Sequence, residues 1–273
     1  MDAAAVRRVG VIGLGRMGLP MARHLLRAGF DVSGYDRDPE RLAALAEGGG
    51  GSAGSLSELA RGADAVLLMV ADDAQVREAA LSSDGILSAA RPGTVLIISS
   101  TVKPSTCREV ADAAGARGVQ VLDAPVALGQ RAAEAGRLTV YVGGPAEVFE
   151  RCRPVFSAFG REVVHLGEEV GAGQVAKLAN NLILWAGIVA AHEALTFGAR
   201  LGVPPRQLRL ALQEGSADSH ALRELHLHTL SWPQKDLAQA MEVAGEIGVT
   251  LPLAGRVAEL MQALTREDLQ RLT

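Results

Sequence analysis

The sequence predicts an α/β amino-terminal domain with a mostly parallel sheet, followed by an all-α carboxy-terminal domain. Short β-rich runs alternate with helical patterns over residues 1–167, which is typical of βαβ units. From about Val170 onward the chain shows helical periodicity and no convincing strand. We therefore expect two domains, residues 1–167 and residues 168–273.

The elements of the first domain follow from apolar runs and the residues that end them. VGVIG begins the sheet, and the helical pattern at 17–29 ends at Gly29, a common helix terminator. A second predicted helix covers 39–47. The predicted strands are 9–13, 31–36, 65–70, 94–100, 119–126, 138–144 and 163–167. GGGGS (48–52) lies between two such elements and is predicted to be a loop, not a domain linker.

In the second domain the helical pattern breaks at 202–205, 215–216 and 231–233, where Gly, Pro and Ser occur. Its longest apolar run, Leu182 to Ala191, is about half of what a membrane span needs. We find no signal-peptide pattern at the amino terminus. The expectation is a soluble, cytoplasmic protein.

Composition excludes several classes of partner. The 273 residues are 48% apolar and 21% charged with a net charge of −4, so neither nucleic acid nor an anionic membrane is an expected partner. Cys107 and Cys152 have no CxxC spacing, which argues against a disulfide framework and a zinc site. The histidines at 220, 226 and 228 do not share one helical face, so no metal site is expected.

The first strand-to-helix connection reads Gly13-Leu14-Gly15-Arg16-Met17-Gly18, a G-x-G-x-x-G pattern. A strand precedes it, a helix follows it, and Asp36 closes the second strand. Gly13 permits the tight turn, Gly15 lets the backbone approach a pyrophosphate, and Gly18 allows helix and strand to pack closely. The free N–H groups at the helix start then face the phosphates. The turn predicts a dinucleotide site.

The residue pair after the second strand bears on the choice of dinucleotide. Asp36 is expected to accept hydrogen bonds from the adenosine ribose hydroxyls and to repel a 2′-phosphate, which favours NAD. Arg37 could instead pair with that phosphate, or lie solvated over the adenine. NAD is therefore the expected cofactor, with NADP possible.

Four motifs occur in one order along nearly the whole chain: GLGRMGLPMARHL, DAPV (123–126), GAGQVAKLANN (171–181) and KDL (235–237). Together they resemble the β-hydroxyacid dehydrogenase family, and SST (99–101) and GRLTVYVGG (136–144) agree with it. The resemblance implies NAD(P)-dependent oxidation of a β-hydroxy acid or related alcohol. It also implies a Rossmann-like cofactor domain, followed by a long helix that leads into a helical domain. That helical domain commonly builds a dimer interface, hence a homodimer or homotetramer is expected.

The resemblance also assigns site residues. Lys177 is the expected catalytic lysine, and Asn181 is expected to hold the substrate oxygen or orient that lysine. Lys235 is expected beside the nicotinamide end of the cofactor, although an exposed charged pair with Asp236 is the alternative. The remaining expected cofactor contacts lie at or just after the ends of β-rich runs: Met69, Val70 and Thr101.

The residues around Lys177 support this role independently. In a helix that starts near Val170, Lys177 and Asn181 are four apart and share a face. A free lysine has a pKa of about 10.4 and is a poor base at neutral pH. Burial and a nearby Lys235 would both lower that pKa, so neutral Lys177 could take the hydroxyl proton. The alternative is a snorkelling lysine whose stem covers apolar surface.

The chain departs from the family on the substrate side. Most relatives continue DAPV with Ser-Gly-Gly, which binds the substrate carboxylate, whereas this chain has Ala127-Leu128-Gly129. The stretch between Gly215 and Lys235 is also shorter than usual. The reaction type is therefore expected to persist with a different substrate. An imine reductase, or a dinucleotide-binding protein without turnover, remains an alternative.

Overall fold

The computed structural model describes residues 5–273, within which nine strands and fourteen α-helices form. The strands are β1 (Arg8–Ile12), β2 (Asp31–Tyr35), β3 (Gly51–Ser52), β4 (Ala65–Leu68), β5 (Val95–Ile98), β6 (Gln120–Asp123), β7 (Val126–Ala127), β8 (Leu138–Val142) and β9 (Gly160–His165). The helices of the first half are α1 (Gly18–Arg27), α2 (Pro39–Ala46), α3 (Leu56–Gly62), α4 (Asp73–Leu81), α5 (Ile86–Ala89), α6 (Pro104–Gly115), α7 (Gly129–Glu134) and α8 (Ala146–Ser157). Those of the second half are α9 (Ala172–Arg200), α10 (Pro205–Gln213), α11 (His220–Arg223), α12 (Pro233–Glu246), α13 (Pro252–Ala263) and α14 (Arg266–Arg271), with a 3-10 turn at Leu225–Leu227.

The main sheet has six parallel strands in the order β3-β2-β1-β4-β5-β6. The order reverses at β1, so the carboxyl ends of β1 and β4 flank the switch point where open α/β sheets bind ligands. β4 and β5 are completely buried, as their uninterrupted apolar sequences predict for a sheet covered on both faces. Alternate side chains enter two separate cores: Leu67 and Ile97 join one, Leu68 and Ile98 the other.

The prediction of a single strand over 119–126 is wrong. The segment forms two strands, β6 in the main sheet and β7 in a second, three-stranded sheet of order β7-β8-β9. Pro125 separates them, and proline cannot donate a ladder hydrogen bond. β7 pairs antiparallel with β8, and β8 parallel with β9, so the later strands do not extend the main sheet. Gly51 and Ser52, predicted as loop, form the short edge strand β3.

By its internal contacts the chain divides into a first unit that ends at Lys177 and a second that begins at Leu178. Helix α9 starts in the first unit and continues into the second, where Trp185, Ile188 and Leu195 form a core with the later helices. Among the described helices α9 alone is long and apolar enough to span a membrane, and a third of its apolar window is buried inside the chain. The buried side of α9 therefore forms part of the core of the second unit.

Three histidines cluster in the second unit. The rings of His220 and His228 meet edge to face, with centroids 5.8 Å apart. Nδ1 of His226 and Nε2 of His228 are buried without a hydrogen-bond partner among residues 5–273. Burial, with smaller contributions from His220 and His226, lowers the pKa of His228 to about 4. Within the same described range no group of three or more His, Cys, Asp or Glu residues could hold a metal ion.

The His228 environment predicts acid sensitivity of the second unit. An unfolded histidine has a pKa of about 6.5, so below that pH the unfolded state takes up the proton first and stability falls as pH drops towards about 4. We expect the thermal midpoint to fall over this window, and His228→Gln to flatten the fall. Fluorescence follows it selectively, because both tryptophans, Trp185 and Trp232, lie in this unit. His24→Gln, in the first unit, is the control. If the thermal midpoint of His228→Gln falls with pH as steeply as that of the wild type and of His24→Gln, His228 is not the source of the acid sensitivity.

Candidate active site

The G-x-G-x-x-G turn is packed so tightly that two of its glycines have no room for a side chain. Gly13 has φ +87°, and a Cβ on it would overlap the carbonyl oxygen of Met69. A Cβ on Gly18 would overlap the carbonyl oxygen of Gly13. The turn therefore rests directly on the end of β4, and α1 starts directly on the turn. Met69 and Val70, predicted as cofactor contacts, lie against Gly13.

Asp36 supports this turn from the end of β2. Its carboxylate accepts a hydrogen bond from the backbone N–H of Leu14 (2.7 Å) and one from the N–H of Asp38 (2.9 Å). Arg41, a residue that sequence reasoning missed, pairs with Asp36 at 3.4 Å and with Asp38 at 3.2 Å. Arg37, expected near a 2′-phosphate or adenine, pairs instead with Glu78 at 2.7 Å and is largely exposed.

The turn fits a dinucleotide. A Cβ placed on Gly15 would have only Arg41 Nη1 within 4 Å, at 3.6 Å, among the residues that the structure describes. The backbone of Gly15 is thus open to a phosphate on the side where any other residue would place a side chain. Arg16 is exposed and Met17 half-buried beside it. These residues would hold the pyrophosphate, at the start of a ten-residue helix.

The loop after β5 connects the turn to α9. The Ser100 hydroxyl accepts a hydrogen bond from the N–H of Val70 (2.7 Å). Gln174, fully buried in the first turn of α9, donates to the carbonyl of Ser100 (2.8 Å) and accepts from the N–H of Val102 (3.2 Å). Its amide therefore bonds to the backbone on both sides of Thr101, a predicted cofactor contact.

Asp123, the last residue of β6, holds the amino terminus of α9. It is fully buried, and its two carboxylate oxygens accept from the N–H groups of Gly171 (2.6 Å) and Gln174 (2.7 Å). Burial raises the pKa of Asp123, while these backbone N–H groups oppose the rise. Lys177, in the second turn of this helix, is half-buried.

Asn181 lies one helical turn after Lys177 and is 2% exposed. Its Oδ1 accepts a hydrogen bond from Asn180 Nδ2 at 3.1 Å. Its own Nδ2 is buried and has no hydrogen-bond partner within residues 5–273. A buried amide donor without a partner is costly, so this one is suited to a ligand oxygen.

The segment that departs from the family has an unusual backbone. Leu128 has φ +80° and Gly129 φ +69°, the left-handed region that disfavours any residue with a side chain. Leu128 is 40% exposed, whereas Ala127 is buried. A leucine is thus held in a glycine-like conformation with its apolar side chain partly in solvent.

In the second unit, the KDL motif is fixed to α9. Asp236 is 8% exposed and accepts a hydrogen bond from the indole N–H of Trp185 at 3.1 Å. Lys235, in the first turn of α12, is half-buried. The alternative of an exposed charged pair is therefore wrong for Asp236.

Within the first unit the structure joins the predicted Gly13, Gly18, Met69 and Val70 by direct contact. Other important residues were missed by sequence reasoning: Arg41, Ser100, Asp123 and Gln174. Asp123 lies in the DAPV motif and Gln174 in the GAGQVAKLANN motif. The signal available in the sequence was their position, at the end of a strand and at the start of a helix.

Two family models match the chain. One, described as the NAD binding domain of 6-phosphogluconate dehydrogenase, matches residues 8–167. The other, described as NAD-binding of NADP-dependent 3-hydroxyisobutyrate dehydrogenase, matches residues 171–272. Both matches concern dinucleotide-dependent dehydrogenases, and together they account for nearly the whole chain.

Individual dehydrogenases are also similar to this chain in sequence and in structure. The chain is 41% identical over 214 residues to 3-hydroxyisobutyrate dehydrogenase of Pseudomonas aeruginosa, covering 78% of this chain and 72% of that protein. It is 33% identical over 283 residues to NAD-dependent L-serine dehydrogenase of the same species, covering 96% and 93%. The structure of Mycobacterium tuberculosis 3-hydroxyisobutyrate dehydrogenase with L-serine matches with a TM-score of 0.87 at 29% identity, over 97% of this chain and 99% of that one.

A Streptomyces aurantiacus imine reductase is also similar in structure, with a TM-score of 0.68 over 97% of this chain and 99% of that one. Its sequence identity is only 20%. At that level the likeness concerns the fold alone.

Proposed function

Because the chain belongs to the β-hydroxyacid dehydrogenase family, we propose that Lys177 is the general acid/base of its reaction. The protein is an NAD(P)-dependent oxidoreductase that interconverts a β-hydroxy acid and its aldehyde or ketone. The observation that carries the assignment is the network of hydrogen bonds and contacts that joins the first turns of the Lys177 helix to the dinucleotide turn.

The nicotinamide, when bound, accepts or gives the hydride. In alcohol oxidation, neutral Lys177 Nζ takes the hydroxyl proton as the carbon gives up its hydride, so the products are a carbonyl and an ammonium. In reduction the ammonium returns that proton to the carbonyl oxygen. The Nδ2 of Asn181, which has no hydrogen-bond partner within residues 5–273, would donate to the substrate oxygen and so fix it near the lysine. Lys235 would lie at the nicotinamide end.

We further propose NAD as the preferred dinucleotide, held by residues 13–18 with Asp36 at the ribose. The chain uses NAD or NADP. Asp36 supports the preference because its carboxylate is fixed by two backbone N–H groups and retains lone pairs for ribose hydroxyls. Arg37 is paired with Glu78 and would have to leave that partner to bind a 2′-phosphate.

The test of this function is turnover with a panel of substrates. NADH and NADPH absorbance would be followed with β-hydroxy acids, their semialdehydes and cyclic imines. We expect turnover with a β-hydroxy acid pair, faster with NAD(H) than with NADP(H). Turnover with cyclic imines alone would move the assignment to an imine reductase, and dinucleotide binding without any turnover would move it to a non-catalytic protein.

Substrate preference is proposed to depend on Ala127, Leu128 and Gly129. Without a hydroxyl at 127, and with leucine at 128, this segment offers apolar surface where Ser-Gly-Gly would offer hydrogen-bond donors. The partly exposed Leu128 supports a substrate with an apolar substituent next to its carboxylate. A small polar substrate such as L-serine would leave that surface in contact with its polar groups.

Restoring the family residues should therefore shift substrate preference. We expect Ala127→Ser combined with Leu128→Gly to raise kcat/KM for L-serine relative to an α-alkyl β-hydroxy acid by about tenfold or more, since a restored hydrogen bond discriminates strongly. Glycine also relieves about 1 kcal/mol of backbone strain at 128. Steady-state kinetics with both substrates measure the ratio. A ratio within twofold of wild type, with Ala132→Ser as control, would contradict this role.

We also propose a role for each domain, an oligomeric state and a cellular compartment. Residues 1–167 would bind the dinucleotide, and residues 168–273 would contribute to substrate binding and to a homodimer or homotetramer. The partly exposed apolar side chains of α9, such as Ile183 and Phe197, support self-association. The chain acts on a small molecule, and we propose that it is soluble and cytoplasmic, without nucleic acid or membrane partners.

A further inference from the structure

We propose that Asp123 and Gln174 are positioning residues for the reaction: together they fix the first two turns of α9, and with them Lys177, against the end of β6 and the loop at residues 100–102, which contains the predicted cofactor contact Thr101. The proposal rests on the proposed role of Lys177. Neither residue needs to touch substrate or cofactor, since both act through the helix.

Asp123 fixes the helix start along its axis. Its two oxygens receive the N–H groups of Gly171 and Gln174 at 2.6 and 2.7 Å, groups that have no partner inside the helix itself. Both bonds are charge-assisted and fully buried, so no water competes for them. The helix therefore cannot slide along its axis without breaking both.

Asp123 itself cannot move. A Cβ on Gly143 would overlap its Oδ1, and a Cβ on Gly173 would lie 2.8 Å from its Oδ2. Its backbone is bonded in both directions to Gly143, at 3.1 and 2.9 Å. Two glycines thus allow β6, β8 and the helix to approach closely around one carboxylate, and the carboxylate transmits the position of the sheet to the helix.

Gln174 fixes the rotation of the helix. Its amide bonds Ser100 and Val102 on either side of Thr101, and it is fully buried. Lys177 follows three residues later and therefore leaves the helix on nearly the same face, one turn further along. A change in the direction of Gln174 would turn Lys177 with it.

The helical segment between the residues held by Asp123 and Lys177 is short. From Gly171 to Lys177 the helix rises about 9 Å, less than two turns, and such a segment behaves as a rigid rod. A shift of about 1 Å at a reacting group can lower a rate about 10²-fold. The anchors at its start are therefore close enough to set the rate.

The test is a double-mutant cycle on kcat. Asp123→Asn and Gln174→Met are each made in the wild type and in Lys177→Ala, and kcat is measured with saturating dinucleotide and substrate. In the wild-type background we expect each to lower kcat about 10- to 100-fold, with the dinucleotide Kd changed less than about threefold. In Lys177→Ala, with or without methylamine as a free base, we expect each to change kcat less than about threefold, because the helix then positions no base.

The outcomes separate the two proposals. Lys177→Ala with wild-type kcat removes the proposed role of Lys177 as general acid/base, whatever the other variants do. Lys177→Ala with low kcat, combined with an equal effect of Asp123→Asn and Gln174→Met in both backgrounds, overturns the positioning role alone. Unchanged kcat in both single variants overturns it as well.

General loss of stability is controlled by Val110→Ala. Val110 is fully buried in α6 and is not one of the residues assigned to the site. Its truncation lowers the thermal midpoint and is expected to leave kcat unchanged. If Asp123→Asn does not fold, Gln174→Met, which keeps the side-chain volume and removes both hydrogen bonds, gives the decisive result.

Discussion

Lys177→Met is expected to lower kcat about 10²- to 10⁴-fold, the usual contribution of a general acid or base. Methionine keeps the length and the apolar stem of the half-buried lysine but cannot carry a proton. The dinucleotide Kd should stay within about twofold, because the phosphate turn and its contacts with Met69 lie elsewhere in the first unit. Stopped-flow hydride transfer, followed by NADH absorbance, measures the effect on the chemical step.

Lys177→Arg is the matched control for charge. Arginine keeps the cation but does not lose its proton near neutral pH, so it should be nearly as slow as methionine in alcohol oxidation. If Lys177→Met retains wild-type hydride transfer, the lysine is a snorkelling residue and a different group moves the proton.

The second large effect is expected at the dinucleotide turn. In Gly18→Ala the new Cβ would overlap the carbonyl oxygen of Gly13, so α1 and the turn must separate. A displacement of about 1 Å should weaken NADH binding about 100-fold, because the pyrophosphate would lose several backbone N–H groups together. Fluorescence titration with NADH measures the Kd.

Gly62→Ala is the matched control for this change. Gly62 ends α3, and a Cβ on it would have no atom within 4 Å among the described residues. The substitution should leave NADH binding unchanged and leave stability unchanged or raised by up to about 1 kcal/mol. Equal NADH affinity in Gly18→Ala and Gly62→Ala would show that the close contact at Gly18 does not govern binding.

The sheet and the dinucleotide turn could be predicted because their signals are local. The strands at 65–68 and 95–98 are short, wholly apolar runs, and a parallel sheet covered on both faces requires such runs. The turn carries its own glycines for reasons of space, which the structure confirms at Gly13 and Gly18. The structure also confirms the predicted helix break at 202–205, since α9 ends at Arg200 and α10 begins at Pro205.

What could not be predicted depends on residues far apart in the sequence. Asp123 and Gly171 are 48 positions apart, and Gln174 and Ser100 are 74 apart, so nothing local indicates their hydrogen bonds. The division of 119–126 between two sheets depends on which partner strand each half finds. Pro125 was the one local sign of it. Likewise, the burial of Asp236 depends on Trp185, 51 residues earlier.

The amide of Gln174 has a consequence for sequence variation. The Gln174 side chain bonds to a carbonyl and an N–H that flank Thr101, so the shape of the 100–102 loop and the identity of residue 174 should vary together among related sequences. An insertion in the loop would leave the glutamine without partners, and loss of the glutamine would leave the loop without them. Compensatory changes in related sequences should therefore appear at both places or at neither.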